Sequence, residues 1–261
     1  MLLEILTSWR TDCPPPLARL GYRYAAVACA ARARRCAAAW APHQQRTRAA
    51  ILQAAADADP AGTALILGSG PCLDVPVAEL AARFRRVVLA DAAQLPAARA
   101  LARRHPAVAL ATLDLTGMAA GLAQGGPPPP PGCTAFLGDA GIRLVVSANL
   151  LSQLPLLPLA ALARQLPDQE LERMGRRIVE AHLAHLRGFA APVLLVSDIE
   201  RHCLAADGTT LAREDTLFGA TLPPGEEWDW LLAPSGELPG GQQLRTRVRA
   251  VRLDRSRSAP A

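Results

Sequence analysis

The sequence predicts an α/β fold: a doubly wound, mostly parallel seven-stranded sheet with a C-terminal antiparallel hairpin and an N-terminal helical cap. Three observations lead there. Five short apolar runs rich in Val, Leu and Ala alternate with helical patterns, as strands buried on both faces by crossover helices do. The glycines Gly68 and Gly70 follow the first of these runs directly. The end of the chain has two strand-like runs on either side of a turn-rich connector, Ser235 to Gly241, with no helical periodicity.

Taken in order, Leu17 to about Ala56 is rich in Ala and Arg and reads as two helices broken at Pro42, with Pro14-Pro15-Pro16 as the lead-in. Asp57 to Gly62 is a breaker, and Thr63 to Leu67 is the first strand. A helix from Leu73 to Arg83, a strand from Arg86 to Ala90, a helix from Leu95 to Arg104 and a strand from Ala107 to Thr112 follow. Gly117 to Gly141 contains Gly125-Gly126 and Pro127 to Pro131, which reads as a flexible surface insertion. The fourth strand is Arg143 to Ser147, the long amphipathic helix Asp168 to Phe189 comes next, and Val193 to Ser197 is the fifth strand. Glu227 to Leu232 and Leu244 to Leu253 form the hairpin, placed at the sheet edge. The expected division is a cap over residues 1–60 and one sheet domain over residues 61–261, with the insertion at 117–141.

Composition excludes several chemistries. The chain is 51% hydrophobic but only 4% aromatic, so its core is built from aliphatic side chains. It contains no lysine, which removes a Schiff base to pyridoxal phosphate, a Walker-type phosphate lysine and a Ser-Lys pair. Its only tyrosines, Tyr22 and Tyr24, precede the glycine loop, so a downstream Tyr-x-x-x-Lys dehydrogenase pair is absent. The six cysteines lack CxxC spacing and read as buried or incidental thiols, and no metal is expected. The net charge of +5 is concentrated in Arg245, Arg247, Arg249, Arg252, Arg255 and Arg257, offset by Asp254. That pattern suits a solvated edge strand better than a nucleic-acid partner. No apolar run approaches the roughly 18 residues a membrane span requires, and the start has no basic segment ahead of an apolar core. A cytoplasmic location without membrane association is therefore expected. Oligomeric state is left open.

The chemistry concentrates at the carboxyl ends of the strands. Gly68 and Gly70 let the backbone approach a ligand closely, and the helix expected after them would offer unpaired N–H groups. Asp91 ends the second strand, 23 residues after Gly68, where a carboxylate can accept from both hydroxyls of a ribose; helix capping is the alternative role. Asp114, beyond the third strand, can accept from an exocyclic amine of adenine, again with capping as the alternative. A dinucleotide is disfavoured because Leu73 occupies the third glycine position and Pro71 removes an amide donor. Candidate bases are His43 in the cap and Asp198, Glu200 and His202 after the fifth strand. His182 and His185, spaced i and i+3, read as helix-packed or solvated residues. Trp228 and Trp230 share one strand face and read as packing residues or as an aromatic wall.

The loop Leu67-Gly68-Ser69-Gly70-Pro71-Cys72, then Asp91, Leu113-Asp114-Leu115 and the run Val145 to Leu154 resemble class I S-adenosylmethionine-dependent methyltransferases. The resemblance runs from about Thr63 to Glu200. It implies that Gly68, Ser69 and Gly70 face the methionyl part of S-adenosylmethionine, Asp91 the ribose, and Asp114 with Leu115 the adenine, with Pro71 and Ala92 completing the expected cofactor-binding set. It places Asn149 beside the methyl group; with the candidate bases His43 and Asp198, that makes His43, Asn149 and Asp198 the catalytic candidates. The implied activity is methyl transfer to a small-molecule or protein acceptor. Ile66, Cys72 and Arg143 depart from the family pattern, which keeps open a catalytically inactive binding or scaffold protein. A nicotinamide-dependent oxidoreductase is the third alternative.

Overall fold

A computed structural model describes residues 2–253. Four helices come first: α1 (Leu2–Arg10), α2 (Pro15–Arg19), α3 (Tyr22–Arg35) and α4 (Ala37–Ala56). The alternating part follows as β1 (Thr63–Leu67), α5 (Val77–Arg83), β2 (Arg86–Asp91), α6 (Pro96–Arg104), β3 (Val108–Thr112), α7 (Ala119–Ala123), β4 (Ile142–Ala148), α8 (Leu156–Leu162), α9 (Asp168–Arg187) and β5 (Val193–Leu204). The chain closes with β6 (Thr210–Asp215), β7 (Glu226–Ala233) and β8 (Gln243–Leu253). The sheet order is β3-β2-β1-β4-β5-β8-β7, with β6 paired to β5 off this path. β1 to β5 are parallel, while β6, β7 and β8 pair antiparallel to their neighbours.

Successive strand residues point to opposite faces, and both faces are apolar. Ala64, Ile66, Val87, Leu89, Leu144 and Val146 pack under α4 and α5, with Ile51, Ala54, Ala55 and Leu80. Leu65, Leu67, Val88, Ala90 and Val145 meet α7 and α9 on the other face, through Leu122, Ile178, Val179 and Leu183. This two-sided burial is why the strands read as continuous hydrophobic runs. The reversal of strand order falls between β1 and β4, which opens a crevice beyond the ends of β1, β2 and β4.

Four expectations change. The sheet has eight strands instead of seven, because the exposed strand β6 folds back on β5. β5 continues to Leu204 instead of ending at Ser197, since β8 pairs with it from Val193↔Leu253 to Leu204↔Gln243. The N-terminal helical region turns at Cys36, and Pro42 sits inside α4, where its missing N–H removes one helical bond. The helix after β1 begins at Val77, not Leu73: Pro76 restricts Val75 before it and removes a donor, so Leu73 and Asp74 lie in the loop.

The segment from Gly117 to Gly141 is packed in the structure. It contains α7, the Gly132 amide donates to the Thr116 carbonyl at 2.8 Å, and Cys133, Phe136 and Leu137 rest on the core. The late arginines meet acids across the hairpin. Arg249 pairs with Glu227 at 2.5 Å, Arg247 approaches Asp229 at 3.8 Å, and Arg252 reaches Asp57 at 2.7 Å. Asp254, Arg255 and Arg257 lie outside the described residues. Among the described residues no helix is long and apolar enough to cross a membrane.

Candidate functional site

The glycine loop turns sharply at the end of β1. Gly68 has φ +74°, and a Cβ there would stand 2.8 Å from the Leu150 side chain; Gly70 has φ +48° and faces open space. The Gly68 amide donates to the Ala90 carbonyl at 2.9 Å, and the Gly70 amide donates to Asp91 Oδ2 at 2.7 Å. The loop is thus tied to β2 by backbone and by carboxylate. Cys72 and Asn149 also take positive φ, 58° and 53°, so two non-glycine residues hold left-handed conformations at the crevice. Asn tolerates that region; Cys does so at a cost in strain.

A cavity of about 260 Å³ opens on this loop. Gly68, Ser69, Gly70, Pro71, Asp91, Ala92, Asp114, Leu115, His43 and Asn149 all line it, so ten of the residues singled out from sequence converge there. Asp198 does not. It is buried on β5, takes the Ser152 hydroxyl and Arg201 Nη2, and lines a second cavity of about 760 Å³. The expectation that Asp198, Glu200 and His202 sit in a crevice loop fails because the strand runs on through them. Glu200 binds His202 at 2.9 Å and Arg213 at 3.1 Å on the strand surface.

Each acid in the first cavity also has a local task. Burial pushes the Asp91 carboxyl above its usual range, opposed by the amides of Gly70, Ala93 and Ala92. Asp114 accepts from the Thr116 amide at 2.8 Å, the Thr116 hydroxyl at 2.6 Å and the Ala119 amide at 2.6 Å, fixing the turn into α7. A carboxylate has about four lone-pair sites, so both groups retain capacity for a ligand.

His43 is 2% exposed and is held between aromatics. Its ring stacks on Trp230 at 4.0 Å and 6°, Trp228 Nε1 donates to its Nδ1 at 3.0 Å, and burial drives its pKa down to about 3. The Nδ1 lone pair is therefore engaged, which removes the simplest form of the general-base role expected for His43. Trp40 meets Trp230 edge-on at 4.9 Å and donates its Nε1 to the Leu232 carbonyl at 3.0 Å. Of the two sequence-level roles of Trp228 and Trp230, packing holds for both; Trp230 in addition forms wall.

Sequence reasoning missed Asp74, Tyr22, Cys29 and Gln153, which also line the cavity. Asp74 was hidden by its assignment to a helix; Pro76 was the available signal that it belongs to the loop. The Asn149 Nδ2 position lies 2.5 Å from Asp74 Oδ2 and 3.1 Å from His43 Nε2. The two cavities share Ala25, Cys29, Trp40, Gln153, Leu156 and Trp230. His182 and His185 lie elsewhere, packed in the core with His182 Nε2 3.0 Å from the Ser147 hydroxyl and His185 Nε2 2.9 Å from the Ala135 carbonyl. Among the described residues no three His, Cys, Asp or Glu side chains are grouped to hold a metal ion.

No family model matches the chain, and no curated protein does. Solved structures with a likeness include the DhpI-SAM-HEP complex, at 16% identity over 90% of this chain and 99% of that one, TM-score 0.36. Another is the Burkholderia thailandensis 1,6-didemethyltoxoflavin-N1-methyltransferase with bound 1,6-didemethyltoxoflavin and S-adenosylhomocysteine, at 15% identity over 85% and 88%, TM-score 0.34. The 23S rRNA methyltransferase ErmE is similar at 14% identity over 78% of this chain and 68% of its own, TM-score 0.30.

Proposed function

We propose that the chain binds S-adenosylmethionine in the cavity on the glycine loop and transfers its methyl group to a small-molecule or protein acceptor. The observation that carries this reading is the convergence of an open loop at Gly70 with the buried carboxyl of Asp91, at the point where the strand order reverses. The residues fit such a group. Gly70 leaves space where a side chain would intrude, Asp91 stands where ribose hydroxyls would donate, and Leu113 and Leu115 supply apolar wall for a base.

When bound, the sulfonium supplies an activated methyl that an in-line nucleophile displaces. The protein's contribution is alignment and exclusion of water. The larger cavity, sharing the wall made by Trp40, Gln153 and Trp230, is the approach for the acceptor. With His43 Nδ1 engaged by Trp228, this site favours acceptors that are already nucleophilic at neutral pH, such as a weakly basic aromatic amine or an ionised acid. The same engagement favours a second reading, a protein that binds the cofactor without turnover.

Calorimetric titration tests the assignment. S-adenosylhomocysteine is expected to bind and NADH to give no heat. Asp91→Ala is expected to weaken the adenosyl ligand by about 1–3 kcal/mol through lost charge-assisted contacts. Silence toward both adenosyl ligands would remove the reading. Binding of S-adenosylmethionine with no methylated product in an unbiased metabolite and peptide screen would favour the non-catalytic alternative.

A further inference from the structure

Three side chains lining the first cavity, His43, Asn149 and Asp74, form with Trp228 behind them a hydrogen-bonded chain whose proton inventory has one solution. Trp228 Nε1 is a donor only, and it points at His43 Nδ1 from 3.0 Å. Nδ1 must accept, so in the neutral ring Nε2 carries the proton. The Asn149 terminal atom 3.1 Å from Nε2 must then accept in its turn. The oxygen and nitrogen of an amide exchange places by a half-turn, and their hydrogen bonds decide which is which. The atom facing Nε2 is therefore the amide oxygen.

That same atom is 2.5 Å from Asp74 Oδ2. Two oxygens in hydrogen-bond contact need a proton between them, and the carboxyl is the group able to carry it. The opposite orientation would set Asn149 N–H against His43 N–H, or His43 N–H against the Trp228 indole. It leaves one clash in every arrangement.

We propose that Asp74 stands as a neutral carboxylic acid that donates to the Asn149 amide oxygen, fixing the amide so that its two N–H donors take the carboxylate of the bound amino-acid-bearing ligand. The other terminal position of Asn149 supports this: it is buried without a partner among the described residues, on a side chain belonging to a residue only 8% exposed that lines the cavity. A wall made of neutral Asp74, neutral His43 and amide N–H groups accommodates an anion and disfavours an ammonium.

The surroundings of Asp74 pull its carboxyl both ways, with burial the largest influence. Burial pushes its carboxyl upward; Arg48 of α4 opposes this from a distance but is itself paired to Glu79 of α5 at 2.9 Å. Cys29 of α3 and Cys72 of the loop are held as neutral thiols, pushed up to about 11 and about 12 by burial. Asp74 is thus a positioning residue, acting through Asn149.

The ligand identity rests on the proposed function; the protonation state does not, and the test keeps them apart. Difference infrared spectra of the ligand-free protein against Asp74→Asn at neutral pH are expected to show the carbonyl stretch of a protonated carboxylic acid, lost in the variant. No such band would overturn the inference whether or not an adenosyl ligand binds, and a band without binding would overturn only the proposed function. Asp74→Asn, whose amide can donate to the same oxygen, should hold S-adenosylhomocysteine within about twofold. Asp74→Leu should weaken it about tenfold while leaving S-methyl-5′-thioadenosine, which has no carboxylate, unchanged. Equal losses for the two ligands, or an Asn variant as impaired as the Leu variant, would contradict the positioning role.

Discussion

Gly68 and Gly70 stand two residues apart and serve different ends. Gly68 needs both its left-handed backbone and the space a side chain would take from Leu150, whereas Gly70 needs only the backbone and leaves room for a ligand. Gly68→Ala is therefore expected to lower stability by about 2–4 kcal/mol, strain and overpacking combined, and Gly70→Ala by about 1 kcal/mol from strain alone. Urea denaturation of the two variants checks the order; equal losses would contradict it. Both glycines, Asp91 and Asp114 were legible in the sequence because a strand end followed by glycine or acid is a local pattern. Asp74 and the His43–Trp228 contact were not. The first depends on where Pro76 lets a helix begin, and the second joins residues 185 positions apart.

At the scale of elements, the clasp between α4 and β7 shapes the site. Trp40 and His43 lie three apart on α4 and meet Trp230 and Trp228, two apart on β7, so helical and strand periodicities bring one face of each together. Trp40→Ala should cost about 3–5 kcal/mol by cavity formation and loss of the bond to Leu232, read as a lowered thermal midpoint, and should open the wall between the cavities. A change near zero would mean that α4 is held mainly by its lower half. The helices and parallel strands of the alternating region were readable because burial on both faces leaves an unbroken apolar run. The extension of β5 was not, since Asp198 to Cys203 is polar and becomes strand through pairing with β8 and β6. That pairing is what removes Asp198 from the crevice.

For the whole molecule, buried neutral histidines set the acid limit. His43 and His182 both have pKa values pushed from 6.5 down to about 3 by burial. A depressed histidine favours folding fully above its unfolded value, and the contribution is lost as pH falls from about 6.5 toward 3, because the unfolded chain takes up protons the native state refuses. Stability is expected to drop by several kcal/mol across that window, measured as urea midpoints at successive pH values. His182→Gln should flatten the profile; an unchanged profile would contradict the assignment. The doubly wound architecture itself follows from strand and helix alternation, and the switch between β1 and β4 gives the crevice its place. The central claim is that this crevice grips an adenosyl ligand through Asp91. A crystal structure with S-adenosylhomocysteine tests it most directly: the ribose hydroxyls should donate to the Asp91 carboxylate beside Gly70, and a nucleoside seated elsewhere, with Asp91 untouched, would contradict the account.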